Sequence, residues 1–209
     1  MLVKGEYMIK FILHGGQTGL DRESNNKFFK EIAKSGSKVL LVYFAKPRKE
    51  WEEKSFQDMN RIQAACKTKA LEYMVANPEI FEEQIEWSNV VYFRGGSGHL
   101  IIEPLRKIKN WNKLLDGKTV AGSSAGANVW AKYYYDQDYP ETIEEGLGVL
   151  PIKTICHFGS GNCYGKDFEL ELEKLIAHKE DIETIPLREG EYTIISMSGP
   201  GELEKLNND

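Results

Sequence analysis

The sequence predicts an α/β fold, a mostly parallel sheet covered by helices on both faces. Three observations carry that prediction. Apolar runs without clean alternation, such as KVLLVYFA (38–45) and SNVVYFRGG (88–96), have the composition of strands buried on both sides. Segments with helical spacing of apolar residues separate them. Three of the runs end in glycine-bearing turns, HGGQTG, RGGSG and GSSAG. In an open parallel sheet such turns fall at the carboxyl ends of strands, where sites form, so the three are expected to converge.

The elements follow in order. IKFILHGG reads as a buried first strand running into a glycine loop. NNKFFKEIAKSG is amphipathic and stops at Gly36, a residue suited to a helix C-cap. KVLLVYFA is a strand. Residues 49–76, rich in Lys, Glu, Gln and Ala, have a helical pattern, and the charged stretch 49–86 reads as solvated helix faces. SNVVYFRGG is a strand, and HLIIEPLRKIKNWNKLLDG reads as a helix with its proline near the first turn. KTVAGSSAGANVWAKYYY gives strand, tight turn and helix. IKTICHFG is a strand and DFELELEKLIAHKED a charged amphipathic helix. ETIPLREGEYTIISMSG reads as two short strands around a turn, and the polar tail GELEKLNND as a fraying end.

Size and charge bound the function. A chain of 209 residues builds one good core, so residues 1–209 are read as a single domain. The net charge of −5 lacks the basic face of a nucleic-acid binder. No window is apolar enough for a membrane span, and the N-terminal apolar stretch is too short and too charged for a signal peptide. Three cysteines, Cys66, Cys156 and Cys163, show no framework spacing, which fits a reducing cytoplasm.

The sharpest feature is TVAGSSAGANVW (119–130). Centred on Ser124 it reads Gly122-Ser123-Ser124-Ala125-Gly126, a G-x-S-x-G; centred on Ser123 the pattern fails. A nucleophile on a tight strand-to-helix turn has strained dihedrals and needs small neighbours two residues away. The following N–H groups, starting at Ala125, are placed to stabilise an oxyanion. Ser124 is therefore the candidate nucleophile.

A serine needs a base and an orienting acid. Of four histidines, His157 at the end of ICHF is favoured by position, with His14 and His99 in reserve. His178 sits in the polar end of a helix and reads as solvated. Glu189 in LREGEY is the candidate acid, with Glu191, Asp136 and Asp138 competing. Gly95 or Gly96 offers a second oxyanion donor. RGGSG and HGGQTG lack the Walker lysine and the full Rossmann spacing of phosphate loops. Cys156, His157 and Cys163 match no strong zinc signature, so no metal or other cofactor is expected, and Cys156 reads as a small buried residue. The aromatic run YYYDQDY (133–139) reads as a helix end packed on the core.

These pieces in this order resemble the dipeptidase E (aspartyl dipeptidase) family of serine peptidases, which includes cyanophycinase. The matching segments are YFRGGSGHLIIEPL, GSSAGANVW, CHF and LREGEY, and the likeness runs from the first strand to about residue 195. The resemblance implies a three-layer α/β/α sandwich like the class I glutamine amidotransferase domain. It implies Ser124 as nucleophile, His157 as general base and acid, and Glu189 as orienting group. Gly95, Gly96 and Ala125 map onto the oxyanion region. A short peptide is the implied substrate, with no cofactor, acting as a monomer or homodimer.

The chain also departs from the family. Ser97 stands where the glycine loop often continues with Asn. The helix after the histidine segment, GKDFELELEKL, lacks the arginine available to meet a substrate carboxylate, and Lys166 is the nearest cation there. Acyl transfer carries over; specificity for N-terminal aspartate does not. Glutaminases of this fold carry cysteine at the turn, so Ser124 argues against glutamine hydrolysis. An α/β-hydrolase esterase would need its acid between Ser124 and His157, at Asp136 or Asp138. Two further readings stay open: a binding or regulatory protein that lost turnover, and an esterase or amidase acting on a non-peptide substrate.

Overall fold

The computed structural model describes residues 8–67, 69–137, 142–161, 167–199 and 202–206. Its strands are β1 (Ile9–His14), β2 (Lys38–Val42), β3 (Glu72–Val75), β4 (Val90–Phe93), β5 (Thr119–Ser123), β6 (Ala131–Asp136), β7 (Thr142–Glu145), β8 (Leu150–Phe158), β9 (Thr184–Arg188), β10 (Tyr192–Gly199) and β11 (Glu202–Leu206). Its helices are α1 (Glu23–Ser35), α2 (Trp51–Ala65), α3 (Phe81–Trp87), α4 (Gly98–Leu105), α5 (Trp111–Leu115), α6 (Ala125–Asn128) and α7 (Phe168–Ala177).

The expected α/β architecture is present, with its strands divided between two sheets. The larger has the order β11-β10-β1-β5-β4-β2-β3, and the smaller β7-β6-β8-β9. In the first, β1, β5, β4, β2 and β3 run parallel, while β10 and β11 close one edge antiparallel. In the second, β6, β8 and β9 are parallel and β7 is antiparallel.

The layering follows from the period-two geometry of a strand. Tyr92 and Phe93 are neighbours on β4 and point to opposite faces. Tyr92 meets Phe28 and Phe29 of α1, at ring distances of 6.0 and 6.3 Å. Phe93 meets Phe81 of α3 at 6.2 Å and Trp130 at 5.0 Å. The amphipathic spacing of α1 buries Phe28, Phe29, Ile32 and Ala33 on one stripe. On the other face Trp130 is fully buried between Phe11, Phe93 and Trp111.

Several local expectations are corrected. Residues 49–76 are not all helix: α2 ends at Ala65, and β3 adds an edge strand beside β2. One face of α2 is buried, Asp58 included, so the helix is not simply a solvated face. The C-cap of α1 is Gly36, as expected, but it is extended (φ 176°), and its missing side chain serves packing, since a Cβ there would lie 2.2 Å from that of Asn89. Residues 99–117 form two helices, with Asn110 left-handed (φ 64°) before the second; Pro104 sits at the end of α4, not its first turn. After Ser124 the helix is a single turn, and AKYYYD, read as helix, is strand β6. Part of the tail pairs as β11, whose polar sequence suits a solvated edge.

Trp130 offers a direct test of this core. Trp130→Ala should lower unfolding free energy by about 3–5 kcal/mol, the range for truncating a buried aromatic ring, read as a reduced urea midpoint. The indole Nε1 is buried with no partner among the described residues. Trp130→Phe removes that unmet donor along with part of the ring, so it should cost clearly less.

Candidate active site

Ser124 follows β5 directly and holds φ 55° and ψ −126°. A non-glycine residue in that region costs on the order of 1–3 kcal/mol and persists only where its surroundings fix it. The Ser124 N–H donates to the carbonyl of His14 at 2.9 Å, and its own carbonyl accepts from the N–H groups of Ala127 (2.8 Å) and Asn128 (3.0 Å). The flanking glycines have a steric cause. A Cβ on Gly122 would lie 2.1 Å from the Gly126 carbonyl oxygen, and one on Gly126 would lie 2.3 Å from that of Phe93. Ser123 is buried at the end of β5, in register with His14.

His157 belongs to β8, in the second sheet, not to the sheet carrying Ser124 as its ICHF strand suggested. The β8–β9 register shifts between Ile155 and Phe158, and His157 holds φ 55° inside that irregularity. A bulge re-aims a side chain, and here it turns the imidazole toward β5. His157 Nε2 lies 2.8 Å from Ser124 Oγ, and Nδ1 lies 2.8 Å from Glu189 Oε1. A serine hydroxyl donating to Nε2 and a carboxylate accepting from Nδ1–H require the Nδ1-protonated tautomer. Glu189 stands just past β9, the parallel neighbour of β8, so His157 and Glu189 leave the same end of the second sheet. Burial acts to raise the Glu189 pKa, but hydrogen bonds from His157 and Ser160 outweigh it and hold the carboxyl below its ordinary value.

The first glycine loop braces this pair. His157 N–H donates to the Gly15 carbonyl at 2.9 Å, and Gly190 N–H to the Gly16 carbonyl at 3.2 Å. A Cβ on Gly16 would lie 2.3 Å from His157 Cε1, so the Gly16 backbone lies against the ring. In the RGGSG loop, a Cβ on Gly95 would stand 2.7 Å from Ser124 Cβ, and Gly96 has φ 154° and packs on the Ala45 carbonyl. Ala125 opens α6 directly after Ser124.

His14 is buried in its own contacts with Asn25 and Gly16. His99 is exposed on α4. His178 is half-buried edge-on against Tyr133, not simply solvated. Glu191 is exposed, and Asp136 ends β6 in register with Thr142. Asp138, Cys163 and Lys166 lie outside the described residues. Cys156 is buried, as its composition suggested, with Sγ 3.3 Å from the Ser124 carbonyl and 3.1 Å from Asn128 Oδ1. Among the described residues no group of His, Cys, Asp or Glu could hold a metal ion. No helix of the described residues is long and apolar enough to cross a membrane.

Ser124 and His157 open onto a cleft of about 380 Å³ formed by all three glycine turns. Sequence reasoning missed its charge. Lys46, Lys54 and Arg94 line it together with the glycine turns. Arg94 donates to Asp58 Oδ1 at 2.6 Å, and Tyr43 Oη donates to Oδ2 at 3.0 Å. Arg61 lies 3.5 Å from the same carboxylate, so two guanidinium groups share one acid. Lys54 is near Glu53, and among the described residues no carboxylate pairs with Lys46. The usable signal was position: Lys46 and Arg94 both follow carboxyl ends of parallel strands. A second hollow of about 440 Å³, lined by Phe44, Ile80, Phe81 and Leu105, contains neither serine nor histidine.

Known proteins resemble this chain over most of its length. The model of peptidase family S51 matches residues 11–199. A peptidase from an acI-B1 Actinobacterium superposes with a TM-score of 0.67 at 18% identity, covering 98% of this chain and 89% of its own. A peptidase E candidate from Listeria monocytogenes EGD-e gives a TM-score of 0.61 at 16% identity, covering 97% of this chain and 100% of its own. At such identities these structures speak to the fold alone. The comparison with curated proteins found no match. With nearly its whole length matched by the family model, the chain belongs to peptidase family S51, the dipeptidase E family, and is a serine-type peptidase.

Proposed function

We propose that the protein hydrolyses short peptides in the cytoplasm, with Ser124, His157 and Glu189 as its catalytic triad. The observation that carries this reading is the unbroken chain of two 2.8 Å hydrogen bonds from hydroxyl to imidazole to carboxylate. Ser124 Oγ attacks the scissile carbonyl carbon while His157 Nε2 takes its proton. The Glu189 carboxylate holds the imidazole tautomer and stabilises the imidazolium as it forms. Backbone N–H groups of Ala125 and of Gly95 or Gly96 meet the oxyanion. His157 then gives its proton to the leaving amine, the C–N bond breaks, and an acyl-Ser124 ester remains. Water, deprotonated by His157, attacks that ester; the acid product leaves and Ser124 recovers its proton. All three side chains come from one chain, so a monomer suffices and a homodimer is compatible. No step draws on a cofactor.

The cleft volume lies near the lower end of small-ligand pockets, roughly 300–1,000 Å³, which fits a short peptide. Its cations come from the β2–α2 segment and from Arg94, not from the helix after His157. They favour a peptide with a carboxylate near the scissile bond.

A dipeptide library with varied N-terminal residues tests the reaction. Wild type should cleave a subset and label with a fluorophosphonate, and Ser124→Ala should lose both, turnover falling by about 10³-fold or more. Folded wild type that neither cleaves nor labels defeats the reading. Glu189→Gln should lower kcat by about 10³–10⁴-fold, the effect of losing a triad carboxylate. Its pH dependence has a definite sign. The folded pKa lies below the unfolded value, so the carboxylate's contribution to stability is present above that value and is lost as pH falls through the folded pKa. The stability gap between wild type and Glu189→Gln should therefore narrow on acidification, read by urea unfolding across pH. Finally, Lys46→Glu should raise KM for acidic dipeptides by about 10-fold and leave neutral ones much less changed; equal effects on both would remove Lys46 from specificity.

A further inference from the structure

His14 closes β1 and is fully buried, with its ring 4.7 Å from that of Phe28. Each of its polar groups has a defined partner. Its carbonyl accepts the Ser124 N–H at 2.9 Å. Its ring Nδ1 accepts the Gly16 N–H at 3.0 Å, so Nδ1 carries no proton. The proton is then on Nε2, which donates to Asn25 Oδ1 at 2.9 Å. Asn25 Nδ2 in turn donates to the carbonyls of Gln17 (3.0 Å) and Leu20 (2.7 Å). The two side chains thus satisfy each other and pin residues 16–20 from beneath.

That loop touches the rest of the site. The Gly15 carbonyl holds the His157 N–H, the Gly16 backbone packs on the His157 ring, and the Gly16 carbonyl holds the Gly190 N–H beside Glu189. Gly15 N–H reaches the Glu191 carbonyl at 3.0 Å. Through its own carbonyl His14 also holds the backbone of Ser124.

We propose that His14 and Asn25 are a buried positioning pair that fixes the Gly15–Gly16 loop and thereby holds Ser124, His157 and Glu189 in reacting alignment. The proposal rests on the triad reading above. The pair needs a neutral imidazole, because a protonated Nδ1 cannot accept from Gly16. Burial supplies this, lowering the His14 pKa to about 4 against the opposing hydrogen bond of Asn25, with the charges of His157 and Arg22 acting in the same direction as burial.

Two replacements separate positioning from simple stabilisation. The Oδ1 of Asn stands as far along its side chain as Nδ1 of His, so His14→Asn can still accept from Gly16. The amide end of Gln stands where Nε2 does, so His14→Gln keeps the Asn25 contact and abandons Gly16. Each loses one buried hydrogen bond. With the reading correct, His14→Gln should lower kcat by about 10- to 100-fold with KM nearly unchanged, as misaligned reacting groups do. His14→Asn should recover most of that turnover. Both are assayed well below their thermal midpoints, with the rate of fluorophosphonate labelling read in parallel. Asn25→Ala is an independent arm should His14→Gln not fold, and should lower kcat in the same way. If wild type is active and folded His14→Gln matches it, or His14→Asn falls equally, the positioning role is overturned and the triad reading stands. If wild type neither cleaves nor labels, the triad reading falls and this one with it.

Discussion

Two sheets meet at residues 15 and 16 with no room for a side chain. A Cβ at Gly15 would stand 2.0 Å from the Arg188 carbonyl oxygen, at the end of β9. A Cβ at Gly16 would stand among the ring atoms of His157, at the end of β8. Ser124 follows β5 of the first sheet and His157 lies on β8 of the second, so the separation of their side chains is set by this backbone-on-backbone approach. Substituting either glycine would push β8 and β9 away from β5, and an atomic shift there passes directly into the Ser124–His157 distance. Close-packed interiors transmit such displacements because they have little free volume in which to absorb them.

Contact alone does not aim the side chains; strained backbone does. Ser124 and His157 both hold φ 55°, one on a tight turn and one in a strand irregularity. Each conformation costs on the order of 1–3 kcal/mol. They are held because the surrounding hydrogen bonds over-determine them: His14 O on the Ser124 N–H, Gly15 O on the His157 N–H, and His157 O on the Ser160 N–H. Cys156, immediately before His157, packs beneath this arrangement with its sulfur on the Ser124 carbonyl. Burial pushes its thiol pKa well up, so it stays protonated and does not compete as a nucleophile.

What could be read from the sequence was set by local chemistry. Gly122, Ser124 and Gly126 announce a sharp turn because the constraint lies within five residues, and the clash distances show the same constraint in space. His157 and Glu189 were legible as types at strand ends, but not as members of a second sheet. An apolar strand looks alike whichever sheet it joins, and the assignment depends on long-range pairing. The same limit explains AKYYYD, which follows a helical turn and contains no breaker. Its strand state comes from pairing with β7 and β8. Glu202–Leu206 is an edge strand whose polar composition is shared by helices and loops, and Glu72–Val75 is an edge strand of four residues, too short to show a period. His14 stands at a strand end as His157 does, and one residue in isolation does not show that both its ring nitrogens are already engaged.

Net charge is the wrong scale for the cleft. A net charge of −5 describes the whole chain, and it argued only against a large basic face. Exposed charges further apart than about 8 Å are largely screened at physiological salt. The potential inside a cleft is therefore set by the few groups lining it. Here the lining contributes Lys46, Lys54 and Arg94, and the one fully buried acid nearby, Asp58, is shared between Arg94 and Arg61. Asp58 cannot neutralise both guanidiniums, and with Tyr43 it fixes where Arg94 points. A buried carboxylate on α2 thus orients a cation directly before the Gly95–Gly96 turn, and the cleft remains positive within an acidic molecule. Among the described residues, the cations that line the cleft lie on the β2 and β4 side of the site.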